Sequence, residues 1–199
     1  MTALDERPEH AAALPPTSGA TVWLTGLPSA GKTTLATALA ARLRERAVPA
    51  VENLDGDEVR EFLSKGLGFS REDRDTNVLR IGWVAATLAR HGVLVLASVI
   101  SPYAATRDAV RALHDERGAA FLEVHVATPV EVCSERDVKG LYAEQRAGEL
   151  TGLTGVDAPY EAPTAPAARI PTQEQSLDES VEQLLAVLVE RGLVAGGTA

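Results

Sequence analysis

The chain has 199 residues, of which 45% are hydrophobic, and its formal net charge is −9. This length and composition favour one domain whose apolar core needs neither disulfide nor metal support. The single cysteine, Cys133, cannot form an internal disulfide, which favours a reducing, cytoplasmic compartment. No apolar segment approaches the roughly 18 residues of a membrane span. The excess of acid argues against a general nucleic-acid surface, so we expect neither a membrane nor a nucleic-acid partner.

Composition divides the chain into three regions. Residues 1–18 mix acids with prolines and lack the basic start and continuous apolar stretch of a signal peptide, so we expect a disordered N-terminal arm. Residues 19–194 are the predicted folded domain. Residues 195–199 form a short, glycine-rich end that we expect to be a flexible tail.

Strand and helix patterns alternate from residue 21 onward. A short β-branched run, TVWLTG, ends at Gly26, and a helix follows from about Lys32 to Arg46. A second strand ends at Asp55. An amphipathic helix then spans about Ser70 to Arg90, with a serine as its N-cap and an acid three residues later, and Gly92 ends it.

The second half of the chain continues the alternation. Continuous apolar runs, VLVLASVI at 93–100 and AAFLEVHVAT at 119–128, are typical of buried parallel strands, and helical patterns follow each. The sequence AARI at 167–170 predicts a short last strand, before a helix from Leu177 to Arg191. The whole pattern predicts the α/β class, with a parallel five-stranded sheet flanked by helices on both faces.

The first strand–helix junction carries the most specific motif. Residues 26–33 read GLPSAGKT and match G-x-x-x-x-G-K-[ST] between a predicted strand and a predicted helix. Such a loop points successive amides at an anion, while Lys32 reaches the β- and γ-phosphates and the Thr33 hydroxyl is offered to Mg²⁺. The alternative is a glycine-rich turn that matches by chance. The expected ATP-binding residues are Gly26, Pro28, Ser29, Ala30, Gly31, Lys32, Thr33, Thr34 and Arg136.

Two acids flank a glycine in LDGDEVR, residues 54–60. Asp55 and Asp57 follow the second predicted strand and Gly26 follows the first, so both loops should face one cleft at the carboxyl edge of the sheet. A phosphoryl acceptor hydroxyl needs a group that accepts its proton, and a carboxylate near magnesium can do this or hold metal-bound water. We expect Asp57 to be the general base and Asp55 to orient water or metal. The residues alone do not decide between these roles, and either acid could instead cap the next helix.

The helix that begins near Ser70 places a second set of polar groups at this edge. Its stripe of Arg74, Asn77, Ile81, Val84 and Leu88 is apolar at one end and polar at the other, which suits a pocket for phosphate or sulfate. The preceding helix could add Arg60. The alternative for Arg74 is a surface salt bridge with a neighbouring acid.

Two further residues have open alternatives. Phe69 is either a stacking platform for a purine or a core residue. Ser101 follows a buried strand and lies at its carboxyl edge, where it either contacts substrate or caps a helix.

Residues 137–167 are rich in glycine, proline and charge and are too long for an ordinary connection. Basic residues alternate with glycines across residues 136–155, which is typical of a lid, at about 137–160, that closes over the nucleotide and excludes water. Lys139 is the candidate that we single out there. The alternatives are a disordered insert and a solvated surface loop.

Six stretches occur in order and at compatible spacing across about residues 20–190: GLPSAGKTT, LDGDEVR, LGFSREDRDTNVLRIG, ISPY, RDVKGLY and GVDAPYEAP. Together they resemble adenylyl-sulfate kinase, which uses MgATP to phosphorylate the 3′-hydroxyl of adenosine 5′-phosphosulfate in sulfate assimilation. The resemblance implies a P-loop kinase fold for residues 19–194, Mg²⁺ with ATP as co-substrate, and a homodimer. The implied substrate-binding residues are Asp57, Arg60, Phe69, Arg74, Asn77, Ile100, Ser101, Lys139 and Leu153, and the catalytic ones are Asp57, Lys32, Asp55, Lys139 and Ser101. The serine that matches Ser101 has been described as a phosphoserine in some members, but we favour direct transfer.

The chain also departs from the family pattern. Glu58 and Glu61 replace the residues of many members, and Leu153 stands where many have a second adenine-stacking phenylalanine, although a leucine can still pack against a purine. We interpret these changes as the signature of a subgroup. Two alternatives remain: a P-loop kinase for another small alcohol or nucleoside, and a nucleotide-binding module without catalysis.

Overall fold

The computed structural model describes residues 19–196, and within them strands and helices alternate as predicted. The strands are β1 (Ala20–Thr25), β2 (Val51–Asp55), β3 (Leu94–Ser98), β4 (Ala120–Val126) and β5 (Ala168–Ile170). The helices are α1 (Lys32–Glu45), α2 (Gly56–Phe62), α3 (Arg71–Arg90), α4 (Ala104–Asp115), α5 (Val130–Arg136), α6 (Leu141–Arg146) and α7 (Leu177–Glu190). The predicted arm, residues 1–18, and residues 197–199 of the predicted tail lie outside the described residues.

The five strands form one sheet in the order β2-β3-β1-β4-β5, and every pair is parallel. The predicted five-stranded parallel sheet is therefore confirmed. Ser98 of β3 pairs with Leu24 of β1 on one side and with Asp55 of β2 on the other. This register brings the loops that follow β1, β2 and β3 to one edge, so the first two predicted site loops are neighbours in space.

Helices cover both faces of the sheet because side chains alternate along its buried strands. Val22 and Leu24 of β1 pack with leucines of α1 and α7, whereas Trp23 points to the opposite face, towards Ile81 of α3 and Val110 of α4. Burying each large apolar side chain contributes on the order of 2 kcal/mol. This core makes the sheet edge a rigid support for the loops above it.

The longest helix begins and ends where the sequence predicted. The Ser70 side chain accepts a hydrogen bond from the Asp73 amide at 3.1 Å, and Gly92 follows the last turn with φ 86°. The predicted apolar stripe is displaced by about one position, because Val84 and Leu88 are only half-buried. The buried face consists of Asn77, Val78, Ile81, Gly82, Ala85, Ala86 and Ala89. Its small residues allow α3 to pack closely against α4 and the sheet.

The predicted lid segment is folded against the phosphate loop. The Tyr142 hydroxyl of α6 donates to the Pro28 carbonyl at 3.1 Å, and the Asp137 carboxylate accepts hydrogen bonds from the first turn of α6. A short bridge between Thr154 and Ala158 closes the later part of the segment. No helix within residues 19–196 is both long enough and apolar enough to cross a membrane.

Candidate active site

A cavity of about 850 Å³ opens at the carboxyl edge of the sheet. It joins the phosphate loop, the acidic loop after β2, the start of α3, the loop after β3 and the segment around Lys139. The sequence-predicted residues that line it are Pro28, Ser29, Gly31, Lys32, Thr33, Thr34, Asp55, Asp57, Arg60, Phe69, Arg74, Asn77, Ile100, Ser101, Arg136 and Lys139. The prediction that the loops after β1 and β2 face one cleft is confirmed.

The phosphate loop needs both glycines of its motif. A Cβ on Gly26 would lie 2.5 Å from the Val126 carbonyl oxygen, and Gly31 has φ 101°, which disfavours a side chain. The buried Lys32 ammonium donates to the carbonyls of Gly26 and Leu27 at 3.0 and 2.7 Å. Burial lowers the pKa of Lys32 to about 8. The ammonium is therefore still mainly protonated at neutral pH, and a bound phosphate would favour that charged form further.

The two acids have different environments. The Asp55 carboxylate accepts a hydrogen bond from the Thr33 hydroxyl at 2.6 Å and another from the Asp57 amide at 2.9 Å. Asp55 is thus the N-cap of α2 and also faces the phosphate loop, so the helix-cap alternative and the site prediction describe the same side chain. The Asp57 carboxylate is exposed and forms an ion pair with Lys139 across the mouth of the cavity.

The oxygen ligands at this edge suit Mg²⁺. Within residues 19–196, no three His, Cys, Asp or Glu side chains converge as a metal cage. Mg²⁺ bound to nucleotides does not require one, because it keeps several waters and is held by one or two protein oxygens and the phosphates. The hydrogen-bonded Thr33 hydroxyl and Asp55 carboxylate provide such oxygens beside the phosphate loop.

Phe69 is 66% exposed and lines the cavity, so the core alternative for this residue is wrong. The guanidinium carbon of Arg60 lies 4.3 Å from the centroid of its ring, and that of Arg74 lies 5.9 Å away. Both cations therefore lie over the ring, in positions that suit cation–π interactions, and most of the Phe69 side chain remains exposed.

Arg74 is held by main-chain and hydroxyl groups. Its guanidinium donates to the Phe69 carbonyl, the Thr154 hydroxyl and the Gly152 carbonyl at 2.7, 2.5 and 2.6 Å. These bonds replace the salt bridge that the sequence offered as an alternative.

Asn77, one turn further along α3, is 6% exposed and lines the cavity. Its Oδ1 atom has no hydrogen-bond partner among the described residues. A buried acceptor without a protein partner is costly, so this oxygen is available to a hydrogen-bond donor in the cavity.

Ser101 is buried and has φ 40°, and its hydroxyl is engaged inside the protein. It accepts a hydrogen bond from the Trp23 indole at 3.0 Å and lies 3.3 Å from the Val99 carbonyl, to which it donates. The helix-cap alternative is wrong, because α4 begins at Ala104 with Tyr103 as its N-cap.

Among the cavity-lining residues that sequence reasoning missed are two hydroxyl residues, Thr172 and Ser98, and it placed Leu153 differently from the structure. Thr172, just after β5, accepts a hydrogen bond from Arg136 at 2.9 Å, and its hydroxyl lies 3.1 Å from the Ala30 carbonyl. Ser98 lines the cavity with a buried hydroxyl that has no partner among the described residues. Both lie within two residues of the carboxyl end of a predicted strand, which is the signal that could have found them. Leu153 is buried in the core with Leu27 and does not line the cavity.

A protein-family model described as adenylylsulphate kinase matches residues 18–171. The chain belongs to this family. Adenylyl-sulfate kinase of Chloroflexus aurantiacus is 55% identical over 177 residues, which are 89% of this chain and 92% of that protein. The predicted family is thereby confirmed.

Solved structures agree with the P-loop kinase fold of this adenylylsulphate kinase family member. The Mycobacterium tuberculosis APS kinase CysC in complex with AMPPNP and APS is 42% identical, with a TM-score of 0.84 over 87% of this chain and 99% of that chain. A hexameric APS kinase from Thiobacillus denitrificans is 36% identical, with a TM-score of 0.69, and the match covers 92% of this chain but 31% of that larger one.

Proposed function

We propose that the protein transfers the γ-phosphoryl group of ATP to the 3′-hydroxyl of adenosine 5′-phosphosulfate, giving 3′-phosphoadenylyl sulfate and ADP. The observation that carries this proposal is a single cavity that joins a phosphate loop to a cationic, aromatic acceptor end in a member of the adenylylsulphate kinase family. ATP would occupy the phosphate-loop end. The acceptor would occupy the end near Phe69 and Arg74.

At the nucleotide end, the chain supplies amides and cations. The loop amides between Gly26 and Thr34 and the Lys32 ammonium would hold the β- and γ-phosphates. Arg136 and Thr172, which bond to each other beside the phosphate loop, would support the rest of the nucleotide. The Thr33 hydroxyl and Asp55 carboxylate would hold Mg²⁺, which when bound neutralises phosphate charge.

At the reacting centre, we assign proton acceptance to Asp57. The 3′-hydroxyl oxygen forms a bond to the γ-phosphorus, the bond from that phosphorus to the bridging oxygen of ATP breaks, and the hydroxyl proton passes to the Asp57 carboxylate. Lys139 forms an ion pair with Asp57 and would place a positive charge beside the transferred group. This position supports a lid role for residues 137–160, in which closure of the lid brings Lys139 to the reacting groups.

At the acceptor end, each contact has a defined physical role. Phe69 would stack on the adenine, while Arg60 and Arg74 would bind the phosphosulfate anions. The partnerless Asn77 oxygen would accept a hydrogen bond from the ligand. Ile100 would pack against the acceptor.

We assign Ser101 a structural role within direct transfer, because its buried hydroxyl is already bonded to Trp23. For Leu153, which is buried away from the cavity, we assign packing of the surrounding loop.

Assembly and location are part of the proposal. We propose a homodimer, supported by apolar side chains that are exposed near the end of α2 and along α3, namely Phe62, Leu63, Leu79 and Trp83. Light scattering of the purified protein would distinguish a dimer from a monomer or hexamer. A cytoplasmic location is supported by the need for ATP and by a single cysteine with a free thiol.

The function is tested by ADP release from MgATP with and without adenosine 5′-phosphosulfate, with the product identified by mass. Stimulation together with a product that carries one phosphate more than the acceptor supports the proposal. Stimulation only by another alcohol or nucleoside would establish a different acceptor. Tight ATP binding without turnover on any acceptor would establish a nucleotide-binding module.

A further inference from the structure

Hydrogen bonds to a loop outside the reacting centre, residues 152–158, hold the Arg74 guanidinium in a fixed orientation. A guanidinium carries five N–H donors, and three of those of Arg74 are committed to Phe69, Gly152 and Thr154. The acceptors lie on two segments of the chain: Phe69 just before α3, and Gly152 and Thr154 in a loop 78–80 residues after Arg74. They fix the plane of the guanidinium and leave two donors for an anion in the cavity.

The loop that holds Arg74, residues 152–158, is stabilised by hydrogen bonds between its own backbone groups. The Leu153 carbonyl accepts hydrogen bonds from the amides of Val156, Asp157 and Ala158 at 3.0–3.2 Å. The Gly155 amide returns a bond to the Ala158 carbonyl at 2.8 Å. The loop is therefore a compact turn whose shape determines where its acceptors for Arg74 lie.

One side chain ties the two ends of this loop together. The Asp157 carboxylate accepts hydrogen bonds from the amides of Gly152 and Leu153, at 2.8 and 2.6 Å. These amides flank the carbonyl of Gly152 and precede the hydroxyl of Thr154, which are the two groups that hold Arg74. The hydrogen bonds, that from Gly152 foremost, lower the pKa of Asp157, so the carboxylate is ionised at neutral pH.

We propose that Asp157 is a positioning residue for the acceptor. It acts through the loop 152–158 to hold the Arg74 guanidinium in the orientation that binds the anionic phosphosulfate. Asp157 does not line the active-site cavity, so it acts on a ligand there indirectly. The inference rests on the proposed function, since it assigns a role to Arg74 in binding the acceptor.

A double-mutant cycle tests this coupling directly. We expect Asp157→Ala to lower kcat/KM for adenosine 5′-phosphosulfate roughly tenfold, mainly through a higher KM, which is the scale of losing one hydrogen-bonded charged contact. The KM for ATP should stay within twofold of wild type. In an Arg74→Ala background, Asp157→Ala should have almost no further effect, because the group that it positions is gone.

Two other variants separate positioning from general damage. Asp157→Asn keeps one oxygen acceptor and should fall between wild type and Asp157→Ala. Asp115→Ala removes an exposed acid at the end of α4 and should match wild type in both KM values. Melting temperatures of all variants report whether each one folds.

Three results would overturn the proposal. The first is an unchanged KM for the acceptor in Asp157→Ala, and the second is an equal loss in KM for ATP. The third is a full, additive loss when Asp157→Ala is combined with Arg74→Ala. Failure of the proposed function would look different, because the wild-type protein itself would then show no turnover with this acceptor.

Discussion

Asp57→Asn should separate activity from stability. The substitution keeps the shape of the side chain but removes the carboxylate that we assign to accept the 3′-hydroxyl proton. Proton acceptance by a positioned side chain contributes about 10²–10⁴ in rate, which corresponds to about 3–5 kcal/mol of barrier. We therefore expect kcat to fall by about that factor.

The stability effect should be small, because the ion pair that is lost is exposed. The side chains of Lys139 and Asp57 are 53% and 70% exposed, and such pairs contribute about 0–1 kcal/mol. For a domain of this size, that loss shifts the melting temperature by no more than about 2–4 °C. The large loss of kcat should thus occur in a protein that melts almost as wild type does.

The assay is steady-state ADP release at saturating MgATP and acceptor, with melting followed by calorimetry. Glu58→Gln is the matched control, because it neutralises the next exposed acid of α2, which does not line the cavity. It should retain wild-type kcat. A kcat for Asp57→Asn within tenfold of wild type would refute the assignment of the general base.

Three further predictions test the acceptor site, the loop geometry and the core. Phe69→Ala should raise the KM for the acceptor about tenfold or more by loss of stacking, with the KM for ATP unchanged; equal changes in both would contradict it. Gly155→Ala should lower the free energy of unfolding by about 1–3 kcal/mol, because φ is 88° and the new Cβ would lie 2.5 Å from Leu27; denaturant unfolding at wild-type stability would contradict it. Burial lowers the pKa of His114. Just below pH 6.5, His114 therefore takes up a proton in the unfolded state but not in the folded state. The free energy of unfolding should fall by up to about 1.4 kcal/mol for each pH unit below pH 6.5. His114→Gln should reduce that slope in unfolding curves measured between pH 5 and 7, and an unchanged slope would contradict the prediction; His125, whose pKa burial also lowers, contributes to the slope in both proteins.

The sequence predicted the elements and the phosphate loop well because both are local features. The strand–Gly26–helix junction is recognisable from eight consecutive residues, and the parallel strands are recognisable as continuous apolar runs. The serine cap and Gly92 fixed the ends of α3. The convergence of the loops after β1 and β2 followed from the sheet alone, since ligands bind at the carboxyl edge of parallel strands.

Non-local packing decided what the sequence could not. The Ser101 hydroxyl is engaged by Trp23, 78 residues earlier in the chain, and no local pattern indicates that pair. Leu153 is buried because the turn that contains it packs on Leu27, which depends on how the whole segment folds back. Thr172 reaches the phosphate loop only because β5 is added at the edge of the sheet beside β4.

Acceptor analogues test most directly which hydroxyl of the acceptor is phosphorylated. The protein should be assayed for ADP release with the 2′-deoxy and the 3′-deoxy forms of adenosine 5′-phosphosulfate, with each product analysed by mass. We predict that the 2′-deoxy analogue gains one phosphate and that the 3′-deoxy analogue gains none. Phosphorylation of the 3′-deoxy analogue, or failure of the natural acceptor to stimulate ADP release, would contradict it.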